Sequence, residues 1–255
     1  ESMKAWVEYM RKEAGDGYLH NTGFHYGDWL AFATDNSDYP GATTAKDFIS
    51  SAYFAYSTSI LIKTAEILGK SEDAEYYSIL LYKIKVAFDN EFISKNGRVS
   101  SNTQTAYALA LAFNLVPKEK EALTAERYVN DIRKFGHITT GFVGTPLVCH
   151  VLTKYGYNED AFKLLIRKEY PSWLYPVTKG ATTIWERWDG IRPDGTFNTK
   201  GAFTADSDED MMNSFNHYSY GAIGDWMYKV VAGINYDEEI PGFKKIIIKP
   251  TIGVD

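Results

Sequence analysis

The sequence predicts an all-α fold, on three observations. Apolar residues recur at helical spacing in segment after segment, and short Gly, Pro, Asn or Asp punctuation separates those segments. The segments also come in pairs, one member charged and the other almost free of charge. The length of 255 residues fits one large domain, with room for a deep ligand cleft. With 45% hydrophobic and 24% charged residues the composition is that of an ordinary globular protein, not a disordered or fibrous one.

In chain order, the spacing predicts helices near 1–13, 45–69, 72–92, 101–115, 119–134, 145–155, 159–168 and 214–232. Thr44 is the candidate N-cap of the second and Gly69 follows its end; Ser101 is the candidate cap of the fourth, with Pro117 beyond it. Glu72 to Phe92 and Glu119 to Lys134 are the charged members of their pairs. Thr103-Gln104-Thr105-Ala106-Tyr107-Ala108-Leu109-Ala110 is small, apolar and uncharged. That asymmetry points to an outer ring of solvated helices around an inner ring of buried ones. A closed ring of six helical hairpins needs about twelve helices and about eight are read here, so about two hairpins are expected to lie before Glu1. An open helical solenoid accepts any count, but no fixed-period repeat is found.

Between Tyr170 and Asn213 the helical period fails. Pro171, Pro176, Gly180, Gly190, Pro193, Gly195 and Gly201 break the chain there, while Trp173, Trp185 and Trp188 sit in the same stretch. A long aromatic loop inside a compact domain is usually functional. Near the end, Phe243 to Pro250 reads as a β-strand, with nothing expected for it to pair with.

The net charge of −6, with Lys and Arg scattered, provides no basic field for phosphates or anionic lipid. Nucleic acid and membrane are therefore not the expected partners, and no apolar run approaches the roughly 20 residues needed to span a bilayer. The first residues begin inside an amphipathic helix and do not read as a signal peptide, so localisation stays open. Cys149 is the single cysteine, and its apolar neighbours mark it as a buried structural thiol. Aromatic residues reach 15%, a weak pointer to a carbohydrate partner, since flat rings with polar tips suit both helix packing and sugar faces.

The sequence has no His-Glu-x-x-His, no cysteine cluster, no phosphate-loop pattern and no Gly-x-Ser-x-Gly, so neither a metal nor any other cofactor is expected. Carboxylate chemistry remains. Glu186 lies between Trp185 and Trp188, where indoles can partly desolvate an acid, a setting suited to proton transfer. The other reading of Glu186 is an ion pair with Arg187 or Arg192. His217 stands among Asn213, Asn216, Tyr218 and Tyr220, as a ligand contact or a satisfied core histidine. Asp28 and Trp29 follow Gly27, either as site residues or as a turn aspartate beside a packed ring. A glycosidase needs two acids flanking the scissile bond, with aromatic rings against the sugar and Asn, His or Arg on its hydroxyls.

Four segments carry a resemblance: Thr182-Thr183-Ile184-Trp185-Glu186-Arg187-Trp188, Asn213-Ser214-Phe215-Asn216-His217-Tyr218, Gly27-Asp28-Trp29, and Thr140-Gly141-Phe142-Val143-Gly144-Thr145-Pro146. With these four motifs taken in their order along the chain, the sequence resembles, over essentially its whole length, bacterial α-L-rhamnosidases of glycoside hydrolase family 78. The resemblance implies an α/α toroid of six hairpins followed by a β-sandwich. Residues 1–240 would then be an incomplete toroid and 241–255 the start of the sandwich. It also implies a rhamnosylated glycoside or polysaccharide as partner and inversion at the anomeric carbon. By motif, Glu186 matches the general base, His217 a rhamnose contact and Trp29 a ring lining the sugar subsite. Asp28, Trp185, Trp188, Trp173 and Asn216 are candidates by proximity. The general-acid motif of such enzymes, Asp-x-x-x-Arg-x-Glu-Arg-Leu-Gly-Trp-Thr-Gly-Asp, is absent, so the acid is expected on an N-terminal segment and these residues alone are expected to be close to inert. The stretch Asp206-Ser207-Asp208-Glu209-Asp210 is an apparent insertion, read as a solvated loop.

Overall fold

A computed structural model describes residues 1–32, 43–198 and 213–253, and it is mainly helical. The acidic stretch at 206–210 lies outside the described residues. The described chain divides into two compact units. The first holds Glu1–Asp28 and Thr43–Tyr128, and the second holds the rest, from Trp29 to Phe32 and from Val129 onward.

The first unit contains α1 (Ser2–Ala14), α2 (Lys46–Ile67), α3 (Ser71–Phe92), α4 (Gln104–Ala112) and the first part of α5 (Lys118–Phe135). Its core is made where α2 meets α3. Phe48 sits edge-on to Phe88 and Phe92, with centroids at 4.9 and 5.2 Å, and all three rings are buried. The contrast between charged and uncharged helices appears directly as burial. Every residue from Gln104 to Leu111 in α4 is buried, whereas α3 buries one face and exposes Tyr76, Ile79 and Tyr82 on the other.

Both predicted caps shift. Thr44 does not cap α2, because its hydroxyl is spent 2.6 Å from the Thr103 hydroxyl. Ala45 occupies the cap position and its N–H donates to Ser101 Oγ at 3.1 Å. Ser101 is thereby taken as well, and α4 starts later, where Thr103 Oγ1 accepts the Ala106 N–H at 3.1 Å.

In the second unit α6 (Thr145–Lys154) and α7 (Asn158–Ile166) form a hairpin, and Cys149 is buried against it with its thiol pushed up by desolvation. Arg133, on the last part of α5, makes a two-pronged ion pair with Asp160 of α7, both contacts at 2.8 Å. The region expected to lack helix contains the short α8 (Leu174–Thr178).

The helix predicted over 214–232 does not form at its start. The Ser214 carbonyl and the His217 N–H are bonded to Glu186 and Ile184 of another segment, so they cannot join a helical ladder. Helical geometry begins with a 3-10 turn at Ser219–Ala222 and continues through α9 (Ile223–Trp226) into a π-helical turn at Met227–Val231. The terminal strand does find a partner, contrary to expectation. β1 (Ile234–Tyr236) pairs antiparallel with β2 (Ile246–Ile248), in register Ile234 to Ile248. Gly233 precedes β1 with φ +67°, and a Cβ there would stand 2.0 Å from the Lys249 carbonyl carbon, so only glycine fits.

Candidate active site

Two of the four motifs lie side by side in the second unit. The Glu186 N–H donates to the Ser214 carbonyl at 2.9 Å and the His217 N–H to the Ile184 carbonyl at 2.8 Å. The Thr183 hydroxyl donates to the Phe215 carbonyl. This lateral pairing brings the Glu186 carboxylate to the Ser214 backbone, whose N–H donates to Oε2 at 2.8 Å. Glu186 is half-buried. Among the described residues it makes no ion pair with Arg187 or Arg192; Arg192 donates to Asn198 at 3.2 Å instead. Arg187 is buried, and its Nε has no partner.

An aromatic cluster stands behind the pair. Trp188 stacks on Tyr220, with centroids 3.8 Å apart and planes 17° apart, and meets Trp173 edge-on at 5.6 Å. Both indole N–H groups are satisfied, Trp188 by the Thr140 carbonyl at 3.2 Å and Trp173 by the Tyr220 carbonyl at 3.0 Å. His217 stacks between Phe142, at 4.9 Å, and the exposed Tyr218, at 5.4 Å. Trp185 meets Phe215 edge-on at 5.0 Å. The third and fourth motifs join the cluster through backbone, since the Phe142 N–H donates to the Trp29 carbonyl at 3.0 Å. The Tyr220 hydroxyl donates to the Leu30 carbonyl at 2.9 Å.

The structure thus brings Glu186, His217, Trp185, Trp188, Trp173 and Trp29 into one connected neighbourhood. Trp29 is half-buried and Asn216 exposed, while Trp173, Trp185 and Trp188 are buried. Asp28 belongs to the first unit, where it is buried and accepts the Thr105 hydroxyl. There, burial and then the Asp28 charge push the Tyr53 hydroxyl above its ordinary range.

Sequence reasoning passed over three members of this neighbourhood. Tyr220 links Trp188, Trp173 and Leu30, Phe142 carries the imidazole of His217, and Ser214 holds the carboxylate. Each sits inside or two residues beyond a quoted motif, so the signal was proximity to a named residue. Among the described residues no group of three or more His, Cys, Asp or Glu is placed to hold a metal ion, and no helix is long and apolar enough to cross a membrane.

An anchored carboxylate, a stacked imidazole and buried indoles on linked segments are the residue types that a sugar-handling site needs. Comparison with known proteins agrees with that class. The bacterial alpha-L-rhamnosidase 6 hairpin glycosidase domain matches residues 1–231. The α-L-rhamnosidase of Streptomyces avermitilis is 41% identical over 253 residues, covering 99% of this chain and 22% of the relative. Its crystal structure, complexed with L-rhamnose, superposes with a TM-score of 0.85. An α-L-rhamnosidase of Formosa agariphila is 39% identical, covering 98% of this chain and 26% of its own. The crystal structure of native α-L-rhamnosidase from Aspergillus terreus superposes with a TM-score of 0.86 at 34% identity, over 98% of this chain and 28% of that one. The chain belongs to the bacterial α-L-rhamnosidase six-hairpin glycosidase family. It spans only 22% and 26% of the length of the two curated relatives.

Proposed function

We propose that the protein containing this chain is an α-L-rhamnosidase that removes terminal α-L-rhamnosyl groups from glycosides or polysaccharides with inversion, and that Glu186 is its general base. The observation that carries the reading is the anchored carboxylate. Oε2 is held by the Ser214 N–H, and among the described residues nothing else bonds to the carboxylate, so Oε1 is available to a water molecule.

In the proposed step that water gives a proton to Glu186 as its oxygen attacks the anomeric carbon. The bond from that carbon to the leaving oxygen breaks on the opposite face, and a general acid protonates the departing group. Inversion needs the two carboxyls roughly 6.5–9.5 Å apart, to leave room for the water. The acid is supplied from outside these residues, which alone are close to inert, because acid and base each contribute about 10²–10⁴-fold. His217 and Trp29 contact the rhamnosyl ring, with Asn216 within reach of its hydroxyls and Asp28 next to Trp29 in the chain. Trp185, Trp188 and Trp173 form the wall that holds the base. The helices are part of an α/α toroid of six hairpins whose remaining hairpins come from outside these residues, and the chain from 241 opens a β-sandwich.

The test is hydrolysis of p-nitrophenyl α-L-rhamnoside by the full-length protein and by its Glu186→Gln variant. The expected outcome is activity in the parent and a loss of about a hundredfold or more in the variant. A fully active variant removes the base assignment, and an inert parent removes the sugar.

A further inference from the structure

The Glu186 carboxylate depends on a backbone N–H, and that N–H depends on where residue 214 sits. Asn213, one residue earlier, makes two side-chain hydrogen bonds that bear on this. Its Nδ2 donates to the Gly190 carbonyl at 3.2 Å and to the Asn198 carbonyl at 3.0 Å.

Those two carbonyls belong to the base of a small loop. Within it the Asn198 N–H donates to the Gly190 carbonyl at 3.1 Å, the Arg192 N–H to Thr196 at 2.7 Å, and Ile191 bridges to Phe197. The loop begins four residues after Glu186 and is closed further by Asn198 Nδ2 donating to Asp189 at 2.7 Å. At its base the backbone is packed as tightly as glycine allows. A Cβ on Gly190 would stand 3.0 Å from the Trp185 ring and 3.1 Å from the Phe215 ring.

We propose that Asn213 is a positioning residue for Glu186: its amide ties the base of the 190–198 loop to the 213–217 segment, and so fixes the Ser214 N–H that holds the carboxylate. The inference rests on the reading of Glu186 as general base. Asn213 acts through Ser214 and is bonded neither to Glu186 nor to His217. The geometry requires an amide. One nitrogen serves two carbonyls, which an aspartate of the same shape cannot do. The acceptor half of the group, Oδ1, is buried with no partner among the described residues, and the donor half makes both bonds.

The experiment compares the full-length parent with Asn213→Asp, which keeps the shape and removes both donors, and with Asn213→Ser, which keeps one donor. Kinetics on p-nitrophenyl α-L-rhamnoside are paired with hydrogen exchange resolved over 184–187 and 213–217. In Asn213→Asp, kcat falls about tenfold or more while KM stays within about twofold, because a misplaced base slows the step after binding. Exchange at both segments speeds up, and Asn213→Ser falls between the two on every measure. Unchanged exchange at 186 and 214, or a KM that rises as much as kcat falls, overturns the proposal. If the parent does not hydrolyse the rhamnoside, the sugar reading falls and exchange alone decides: faster exchange in Asn213→Asp upholds the tie, unchanged exchange refutes it. Should Asn213→Asp fail to fold, the same outcomes are read from Asn213→Ser.

Discussion

Helix α4 is buried along almost its whole length and the paired segments 183–186 and 213–217 only in part, and the two satisfy their backbones in opposite ways. In α4 the N–H groups from Tyr107 onward find a carbonyl four residues earlier, the cap comes from Thr103, and small apolar side chains have no task beyond packing. In the paired segments the partners are 28 to 33 residues apart in sequence, and side chains of Glu186, Asn213 and Thr183 take up backbone groups that no ladder reaches. The first arrangement is stable because it is local and repetitive. The second holds a chosen atom in place because every contact is particular, so losing one side chain moves several neighbours. Stability and positioning are therefore expected to respond to different residues.

The largest effect on stability should come from the helical frame. Phe48→Ala removes a fully buried ring that touches Phe88 and Phe92, and is expected to cost about 3–5 kcal/mol by denaturant unfolding. Activity per folded molecule should be retained; a selective loss of activity would erase the contrast between frame and site.

A smaller change, of opposite sign, should come from Asp131 on α5. Burial, weakly opposed by Lys134, pushes its carboxyl up to about 6, and among the described residues Oδ2 has no hydrogen-bond partner. Because the folded state holds this proton more tightly than the unfolded one, stability falls as pH rises from about 4 to about 6 and stays lowered above. Asp131→Asn should then raise stability by about 2 kcal/mol at pH 7 and by almost nothing below pH 4. Thermal melts at the two pH values measure it, and a pH-independent difference would contradict the burial argument.

The smallest effect on stability is expected in the site. Trp188→Phe keeps a ring against Tyr220 but leaves the Thr140 carbonyl without its indole donor, a cost of about 1 kcal/mol. Hydrolysis should fall by more than that loss explains. A drop in activity no larger than the fraction unfolded would show Trp188 to be packing alone.

Which parts of this were legible in the sequence follows the same division. Helices α1 to α7 could be read because burial of one face imposes a period on the residues themselves, as in α5, or because an uncharged run such as Gln104 to Leu111 has only one place to go. The caps of α2 and α4 were misread by one and two residues, since Thr44 and Ser101 are both good capping types and only tertiary contact shows that each is spent elsewhere. The stretch after Asn213 was read as helix because its later residues are helical and nothing local marks the Ser214 carbonyl as taken by Glu186. The strand at Ile246–Ile248 was legible from its β-branched run, but its partner at Ile234–Tyr236 is three residues long, too short to leave a period. Glu186, His217 and Trp29 are proposed for the site by residue type and motif. Tyr220 and Asn213 were named only as neighbours of His217, because what they do is defined by distant backbone.

The edge-on contact of Trp173 and Trp188, at 5.6 Å and 84°, has a use outside chemistry. Two indoles so close share their electronic excitation, and a pair held rigidly in a chiral setting gives a coupled circular-dichroism band that isolated tryptophans lack. The wall behind Glu186 therefore carries its own optical label, by which the order of the site can be followed in solution without adding a probe.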